Sequence, residues 1–192
     1  MIEVQFPDQS VRSYDKGVTP LDIAKSISEG LARNVLSAKY NGQIVEGTTP
    51  LLENGNIQLF TWSDQEGKTA FWHSSAHVLA QALIALYPRC KLTIGPAIDN
   101  GFYYDADFGD HSLTEKDLLE IEIKFLEFTR QKFDFKMRIA TKSDALEYYE
   151  KENNPFKTEL IENLEDGTIT FCDHGDFTDL CRGGHIPHTG FI

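Results

Sequence analysis

The sequence TAFWHSSAHVLAQALIALY, residues 69–87, carries a long helical pattern around which the rest of the chain is organised. Its apolar residues recur every three or four positions and form one stripe, and Pro88 ends the helix. The stripe consists of Trp72, Ala76, Leu79, Leu83 and Leu86. A helix places the His73 and His77 imidazoles on one face, one turn apart and within reach of a common atom. We expect both at the edge of the buried stripe, where a cleft could open.

A second chemically rich segment, DLCRGGH at residues 179–185, lies much further along the chain. It offers the Cys181 thiol and the His185 imidazole at the same spacing, preceded by the Asp179 carboxylate. The Gly183-Gly184 pair disfavours a regular helix and predicts a loop whose amides can approach a small ligand closely. Together the two segments supply three imidazoles, one thiol and one carboxylate. These residue types suit either a zinc site or a metal-free hydrolytic site, and the spacing leaves both open.

The composition is that of a folded protein with little non-specific affinity for nucleic acid. Of the 192 residues 41% are hydrophobic, and the net charge of −12 is spread along the chain. Nucleic acids attract proteins chiefly through Lys and Arg. The three cysteines are odd in number and show no paired spacing, so we expect no disulfide framework. Because no apolar run approaches the roughly 20 residues of a membrane span and no signal peptide is apparent, we expect no membrane association and a cytoplasmic location.

Residues 1–62 show the pattern of a small domain with several short strands and one helix. Apolar and polar residues alternate over residues 2–6, as in a half-buried strand, and Asn41-Gly42 is a type I′ hairpin dipeptide. Thr19-Pro20 predicts the start of the helix and Gly30 its stop. The resulting order ββαβββ indicates a mixed sheet with one helix across it. We find no catalytic candidate here and interpret the domain as an accessory module.

The second domain, 63–192, begins after a boundary that the polar stretch 63–68 predicts. Thr114 caps a second long helix. The core face of that helix is predicted to be Leu118, Ile121, Phe125 and Phe128. The other predicted elements are a hairpin over 92–105, a strand over 133–140, a short helix capped by Ser143, and strands at 168–173 and 177–180. We therefore predict an α+β fold with two long helices on one face of a mainly antiparallel sheet.

Three ordered segments give this chain a close resemblance to the N-terminal half of bacterial threonyl-tRNA synthetases. They are HSSAHVLAQAL at 73–83, IGPAIDNGFYYD at 94–105 and DLCRGGH at 179–185. The resemblance covers essentially the whole chain. It implies that residues 1–62 are a TGS domain of β-grasp type and that 63–192 are an editing domain of the threonyl/alanyl type, cut short at its C-terminus. In that family the editing domain hydrolyses serine wrongly attached to threonine tRNA, and the aminoacylation core follows it.

The resemblance also implies the residues of an editing site. The catalytic positions match His73, Lys157 and Cys181, and the substrate-binding positions match His77, Tyr104, Asp179 and His185. His73 would serve as base or hold the ribose hydroxyl, while Lys157 and Cys181 would hold the water or the oxyanion. Asp179 would bind the ammonium of serine.

The loop that ends in His185 departs from the family at one position. The family commonly has CRGPH, whereas Gly184 here replaces the proline. We expect this glycine to loosen the backbone ahead of His185.

The resemblance further implies cofactors and partners. Editing needs no cofactor, and ATP, magnesium and zinc belong only to the aminoacylation core. The partner is the acceptor end of tRNA(Thr) carrying serine. Because the full-length enzyme forms a homodimer through that core, we expect this chain alone to be a monomer.

Two other functions stay open. Three histidines and one cysteine could complete a tetrahedral zinc shell, as in the alanyl-tRNA editing domains that the second domain also resembles. Alternatively, the chain is a non-catalytic module that binds the acceptor end of tRNA. We favour metal-free hydrolysis because the motifs are of the threonyl type and the cationic Lys157 is poorly suited to stand beside a metal.

Overall fold

The computed structural model describes residues 1–192 and divides the chain into two compact units. The first unit comprises Met1–Phe71 with Gly184–Pro187 and Phe191, and the second comprises Trp72–Gly183 with His188–Gly190 and Ile192. The helices are α1 Pro20–Ile27, α2 Glu29–Ala32, α3 Gln65–Leu86, α4 Glu115–Arg130, α5 Lys142–Lys151 and α6 Pro155–Glu162. The strands are β1 Ile2–Gln5, β2 Val11–Tyr14, β3 Ser37–Tyr40, β4 Gln43–Val45, β5 Gly55–Phe60, β6 Lys91–Leu92, β7 Ala97–Ile98, β8 Gly101–Phe102, β9 Ala106–Asp107, β10 Lys136–Ile139, β11 Thr170–His174 and β12 Phe177–Leu180.

The first unit is built on a five-stranded sheet in the order β2-β1-β5-β3-β4. Strand β1 runs parallel to β5, and every other pair is antiparallel. Helix α1 contributes Ile23 to the core of this sheet. The other buried members of that core are Ile2, Val4, Tyr40, Leu51 and Ile57. This mixed sheet with α1 packed on it agrees with the predicted order and with the β-grasp type that the resemblance implied, and the short helix α2 is additional.

The predicted start of α1 is confirmed, and its predicted stop is wrong. The Thr19 hydroxyl accepts from the Asp22 amide at 3.1 Å, and the Asp22 carboxylate accepts from the Thr19 amide at 3.2 Å. The two bonds form a reciprocal cap. Gly30, however, lies inside α2. Ser28 ends α1 and starts α2, because its hydroxyl accepts from the Leu31 amide at 3.0 Å and so provides a new N-cap.

Helix α3 begins at Gln65 and not at Thr69. Gly67, which suggested a boundary loop, allows close packing, since a Cβ there would overlap the carbonyl oxygen of Thr61. From 74 to 83 the helix is buried on nearly all sides, so it is a central helix and not one with a single apolar stripe. Its buried polar residues are Ser74, Ser75, His77 and Gln81. Neither this helix nor any other is apolar enough over a sufficient length to cross a membrane.

The second unit contains a three-stranded antiparallel sheet, β10-β11-β12, and two short strand pairs, β6-β9 and β7-β8. Successive side chains of a strand point to opposite faces. Phe171 and Leu180, paired across β11 and β12, pack with residues of α5 and α6. Phe177 instead shares a core cluster with residues of α3 and α4. The α+β class with two long helices against one face is confirmed, and two shorter helices cover the other face.

Helix α4 is capped by Thr114 as predicted, but its core face differs at one residue. Leu118 is 56% exposed, whereas Ile121 is buried. In the first turn of α4, Asp117 makes the contact with the preceding segment, because it accepts a hydrogen bond from the Tyr87 hydroxyl at 2.8 Å. Leu118 therefore remains outside the core at this end of the helix.

Helix α6 was not predicted, because Asn154-Pro155 indicates only a break after α5. Asn154 is in fact the N-cap of α6, and its side chain accepts from the Lys157 amide at 3.1 Å. Pro155 suits the first helical position, where no amide hydrogen is needed. The N-cap of α6 thus lies two residues after the C-cap of α5, Glu152, and the helix carries the Lys157 side chain into the interior of the second unit.

We expect Gly67→Ala to lower the free energy of unfolding by about 1–3 kcal/mol, because the new methyl group must displace the backbone at Thr61. Gly30→Ala is the matched control in another helix. A Cβ at Gly30 would lie 3.9 Å from the Ser28 hydroxyl, so this change should be neutral or slightly stabilising. Urea denaturation of the three proteins measures both effects. Equal stability of the two variants would contradict the close-packing role of Gly67.

Candidate active site

A cavity of about 800 Å³ opens within the second unit. Its polar end is lined by His73, His77, Tyr104, Lys157, Asp179 and Cys181. Its apolar wall is lined by Ile94, Pro96, Leu160, Leu164 and Leu180. This volume is typical of a small-molecule site, and six of the seven predicted site residues meet at one end of it.

Two imidazoles and a thiol form a triangle at the polar end. The Nε2 atoms of His73 and His77 lie 3.1 Å apart, and the Cys181 Sγ lies 3.3 Å from each. Helix α3 sets the first distance, because its turn brings residues four apart together. His77 is buried, whereas His73 is half-buried and borders the cavity.

The third corner of the triangle is fixed by the sheet. The Cys181 amide donates to the Thr170 carbonyl oxygen at 3.0 Å, and the Thr170 hydroxyl donates to the Cys181 carbonyl oxygen. The Gly183 amide then approaches the thiol sulfur at 3.4 Å. The backbone on both sides of Cys181 is therefore held, and its sulfur cannot shift far from the two imidazoles.

The Asp179 carboxylate is the most heavily bonded group of the site. Its Oδ1 accepts from Lys157 Nζ at 2.6 Å and from the Tyr149 hydroxyl at 3.2 Å. Its Oδ2 accepts from the Tyr104 hydroxyl at 2.6 Å and lies 3.4 Å from His77 Nδ1. Because Asp179 is 2% exposed, each of these contacts replaces a lost contact with water.

Lys157 and Tyr104 are positioned by local features of their own segments. The Lys157 ammonium donates to Asp179 and also to the Tyr104 hydroxyl at 3.3 Å. Asn154, at the start of the same helix, donates to the Leu92 carbonyl oxygen at 2.8 Å and so anchors α6. The Tyr104 ring lies where a Cβ at Gly95 would stand, which explains the glycine in the motif IGPAIDNGFYYD.

The buried charges set one another's protonation. Burial would lower the pKa of His77, but the Cys181 thiolate and the Asp179 carboxylate outweigh it and raise the pKa to about 9. Burial would raise the pKa of Asp179, but Lys157 and His77 hold it well below its usual range. Burial and the Asp179 charge raise the pKa of the Tyr104 hydroxyl well above its ordinary value. At neutral pH the site therefore holds an Asp179 carboxylate, a His77 imidazolium and a neutral Tyr104.

The seventh predicted residue, His185, belongs to the first unit. It is fully buried, and its Nδ1 lies 3.3 Å from the Glu46 carboxylate. The other three histidines, His111, His174 and His188, fall in none of the three motifs, and the sequence therefore predicts them to be surface residues; His111 is exposed. His174 is 1% exposed and packs against the rings of Phe135 and Phe177, so that interpretation is wrong for His174.

Cys90 and Cys172 are buried, and the predicted absence of disulfides is confirmed because all three cysteines are free. Sequence reasoning missed Tyr149, which donates to Asp179, and Glu46, which contacts His185. Neither lies in a recognisable motif. Tyr149 stands 30 residues before its partner and Glu46 stands 139 residues before its own, so only the tertiary fold reveals them.

Comparison with known proteins identifies relatives over the whole chain. Residues 2–61 match the TGS domain family. Over 192 residues the chain is 62% identical to the threonine–tRNA ligase of Flavobacterium johnsoniae and 54% identical to that of Cytophaga hutchinsonii. It is 49% identical over 192 residues to the threonine–tRNA ligase of Bacteroides fragilis. Each alignment covers 100% of this chain, which spans only 29% or 30% of the length of these curated relatives.

We expect the His77 ring to keep its second proton to about pH 9. Replacement Cys181→Ala removes the strongest group opposing the effect of burial, so the midpoint should fall towards the ordinary value near 6.5. NMR titration of the His77 ring signals, with a chelator in the buffer, measures the shift. Cys90→Ala is the control, because Cys90 does not line the cavity and does not shift the pKa of His77. An unchanged midpoint in Cys181→Ala would contradict the assigned ion pair.

Proposed function

We propose that this chain, which corresponds to the N-terminal part of bacterial threonine–tRNA ligases, hydrolyses the ester that links serine to threonine tRNA. The correspondence itself confirms the resemblance drawn from the sequence motifs. The observation that carries the proposal is the polar end of the cavity, where two imidazoles, a thiol, a carboxylate and an ammonium group lie in contact. The name of the relatives refers to ligation. Hydrolysis, its substrate and its partner tRNA are assigned to this chain by the proposal.

The substrate explains the need for such a site. Serine is threonine without a methyl group. A difference of one methylene yields only about 1–3 kcal/mol of discrimination between two amino acids at the site that attaches them to tRNA. The smaller serine also cannot be excluded sterically from a pocket built for threonine. A second pocket can reverse the test, because it admits serine and rejects the extra methyl group.

In the proposed reaction a water molecule attacks the ester carbonyl carbon. The half-buried His73 borders the cavity and takes the proton of the water. The bond from the carbonyl carbon to the ribose oxygen then breaks, and the ribose oxygen receives that proton. The products are free serine and tRNA with its terminal hydroxyl restored.

Lys157 supports this reaction through charge. Its ammonium group has three N–H donors, of which one goes to Asp179 and one to Tyr104. The third donor is left for the carbonyl oxygen of the substrate, on which negative charge develops during the attack. A cation held in a water-poor site stabilises such an oxyanion more strongly than it would in water.

Cys181 and His77 complete the arrangement around the attacking water. The thiolate of Cys181 accepts from the His77 imidazolium and stands at equal distance from His73. It can therefore hold the water in line with the carbonyl group while His77 keeps the thiolate charge in place. Cys181 acts as a water ligand in this scheme, and no covalent bond to the sulfur forms.

The proposed role of Asp179 is broader than binding the ammonium group of serine. Both of its oxygens are occupied by neighbouring side chains. It therefore orients Lys157, Tyr104 and His77, and it attracts the substrate ammonium through its charge and not through direct contact.

The cavity also accommodates more than an amino acid. About 800 Å³ leaves room for the terminal adenosine beside the seryl group, against the apolar wall that includes Ile94, Pro96 and Leu160. The net charge of −12 makes a strong grip on the remaining tRNA by this chain unfavourable. We propose that the rest of the full-length enzyme supplies that grip, the homodimer contact and the ligase site with its ATP, magnesium and zinc, in the cytoplasm.

The purified chain is expected to hydrolyse Ser-tRNA(Thr) and to spare Thr-tRNA(Thr). Replacement of His73 or Cys181 by Ala should lower the rate about 10²–10⁴-fold, the usual contribution of general acid–base assistance. One lost pocket contact should weaken binding far less, by about 1–2 kcal/mol. Single-turnover deacylation at several enzyme concentrations separates the rate from the affinity.

His111→Ala is the control for this experiment, because His111 is exposed and lies outside the cavity lining. Equal hydrolysis of both aminoacyl-tRNAs would contradict the selective pocket. Full activity of a His73→Ala/Cys181→Ala double variant would contradict the assigned site. Tight binding of Ser-tRNA(Thr) without hydrolysis would instead support the non-catalytic module.

A zinc-dependent hydrolase is the second candidate, and the triangle of His73, His77 and Cys181 favours it. Its edges of 3.1–3.3 Å are close to the ~3.4 Å between ligands of a tetrahedral zinc at ~2.1 Å. We nevertheless expect purified chain to carry well below one zinc per molecule, because Lys157 places a second cation at the same polar end. Elemental analysis measures the zinc content. One tightly held zinc, with activity lost on chelation, would favour this candidate over the metal-free one.

A further inference from the structure

Arg182 is a charged side chain at the mouth of the cavity. Most residues that line the cavity are buried or half-buried, and the exposed ones mark where it opens to solvent. These exposed lining residues are Ile94, Leu160, Thr168 and Arg182. Arg182 is the only charged residue among them, and it directly follows Cys181 of the polar end. The cavity therefore presents a single cation at its mouth.

The backbone around Arg182 is held, whereas its guanidinium group is not engaged. On the preceding residue the Cys181 amide donates to the Thr170 carbonyl oxygen at 3.0 Å, and on the following residue the Gly183 amide approaches Cys181 Sγ at 3.4 Å. Arg138 donates from its Nε to Asp173 at 2.7 Å, but the Arg182 guanidinium has no such partner within the chain. Its five N–H donors are left for a ligand.

The charge of Arg182 is not neutralised by the other groups of the lining. Asp179 is the only carboxylate there, and its Oδ1 already accepts from Lys157 Nζ at 2.6 Å. In a chain with a net charge of −12, an uncompensated cation at the mouth of a cavity indicates an anionic ligand. The planar guanidinium matches the oxygens of a carboxylate or a phosphate. Of these two anions, only phosphate belongs to the nucleotide end of the proposed substrate.

The shape of the proposed substrate requires a phosphate at the mouth. The seryl ester lies at the polar end, and the ribose that carries it is joined through its 5′-phosphate to the rest of the tRNA. The tRNA is far too large for a cavity of about 800 Å³, so this phosphate must lie where the cavity opens. Consecutive Cα atoms are about 3.8 Å apart. Arg182 therefore starts next to Cys181, and its long side chain can span the one ribose that separates ester from phosphate.

We propose that Arg182 binds the 5′-phosphate of the terminal adenosine, the phosphate that joins this nucleotide to the rest of the tRNA. The proposal rests on the proposed function, in which the cavity takes the seryl ester of that adenosine. The phosphate is remote from the bond that breaks and keeps its charge throughout the reaction. Arg182 therefore binds the ground state and the transition state equally, which lowers KM and leaves kcat unchanged.

The test uses two mimics of the acceptor end that contain no ester. In both, serine is joined by an amide bond to 3′-amino-3′-deoxyadenosine, and only one of them carries a 5′-phosphate. Isothermal titration calorimetry of the full chain should show about tenfold tighter binding of the phosphorylated mimic, the lower range for a hydrogen bond to a charged group, because Arg182 is exposed. The difference should shrink as salt is added, since exposed charges are screened.

Variants at Arg182 assign this preference to one side chain. Arg182→Ala should bind both mimics equally, and Arg182→Lys, which keeps the charge without the fork, should retain part of the preference. Arg130→Ala is the matched control, because Arg130 is an exposed arginine of the same unit outside the cavity lining. It removes the same charge and should keep the tenfold preference. A preference that persists in Arg182→Ala, or that is lost equally in Arg130→Ala, would overturn the proposal.

Kinetics with Ser-tRNA(Thr) provide a second readout. Arg182→Ala should raise KM about tenfold and leave kcat unchanged, the opposite of the pattern expected for His73→Ala. Equal binding of the two mimics by the unaltered chain, or no binding of either, would also overturn the proposal. Absence of hydrolysis by the unaltered chain would refute the proposed function, and the affinities of the two mimics would still decide whether Arg182 binds a phosphate.

Discussion

The site depends on the buried ion pair between Asp179 and Lys157. Both side chains are 3% exposed, and their charged atoms lie 2.6 Å apart. Removing two charges from water costs several kcal/mol per ion, so the pair is tolerable only when the remaining lone pairs and hydrogens also find partners. Tyr104, Tyr149 and His77 supply those partners. Because Lys157 and these three partners come from four separate segments, the Asp179 carboxylate fixes where those segments meet.

The same need for compensation explains the charge balance of the polar end. Asp179 is negative, Lys157 and the His77 imidazolium are positive, and the neighbouring Cys181 sulfur also favours the charged imidazole. An unpaired charge in such surroundings would change its protonation or draw in water. Each group thus keeps its neighbour in its charged state, while half-buried His73 borders the cavity.

The sequence predicted the parts of this structure that depend on local patterns. Caps at Thr19 and Thr114, the imidazole spacing on α3 and the order of strands follow from neighbouring residues and were found as expected. The TGS and editing-type motifs gave the candidate site by resemblance. What could not be predicted depends on contacts between distant segments. Tyr149 offers no local sign that its hydroxyl meets Asp179, and Gly67 resembles a linker residue until its contact with the Thr61 carbonyl is seen.

The size of the cavity indicates where the proposed selectivity must arise. At about 800 Å³ it is much larger than either amino acid, so the overall volume cannot distinguish a methyl group. The proposed discrimination must therefore come from the polar end, where outward displacement of the lining groups would create space for that methyl group. Packed interiors resist such displacements only when neighbouring groups are fixed on all sides. The bonds around Asp179 and Cys181 provide that restraint, so the interactions that keep buried charges stable are also the ones on which the proposed distinction between serine and threonine depends.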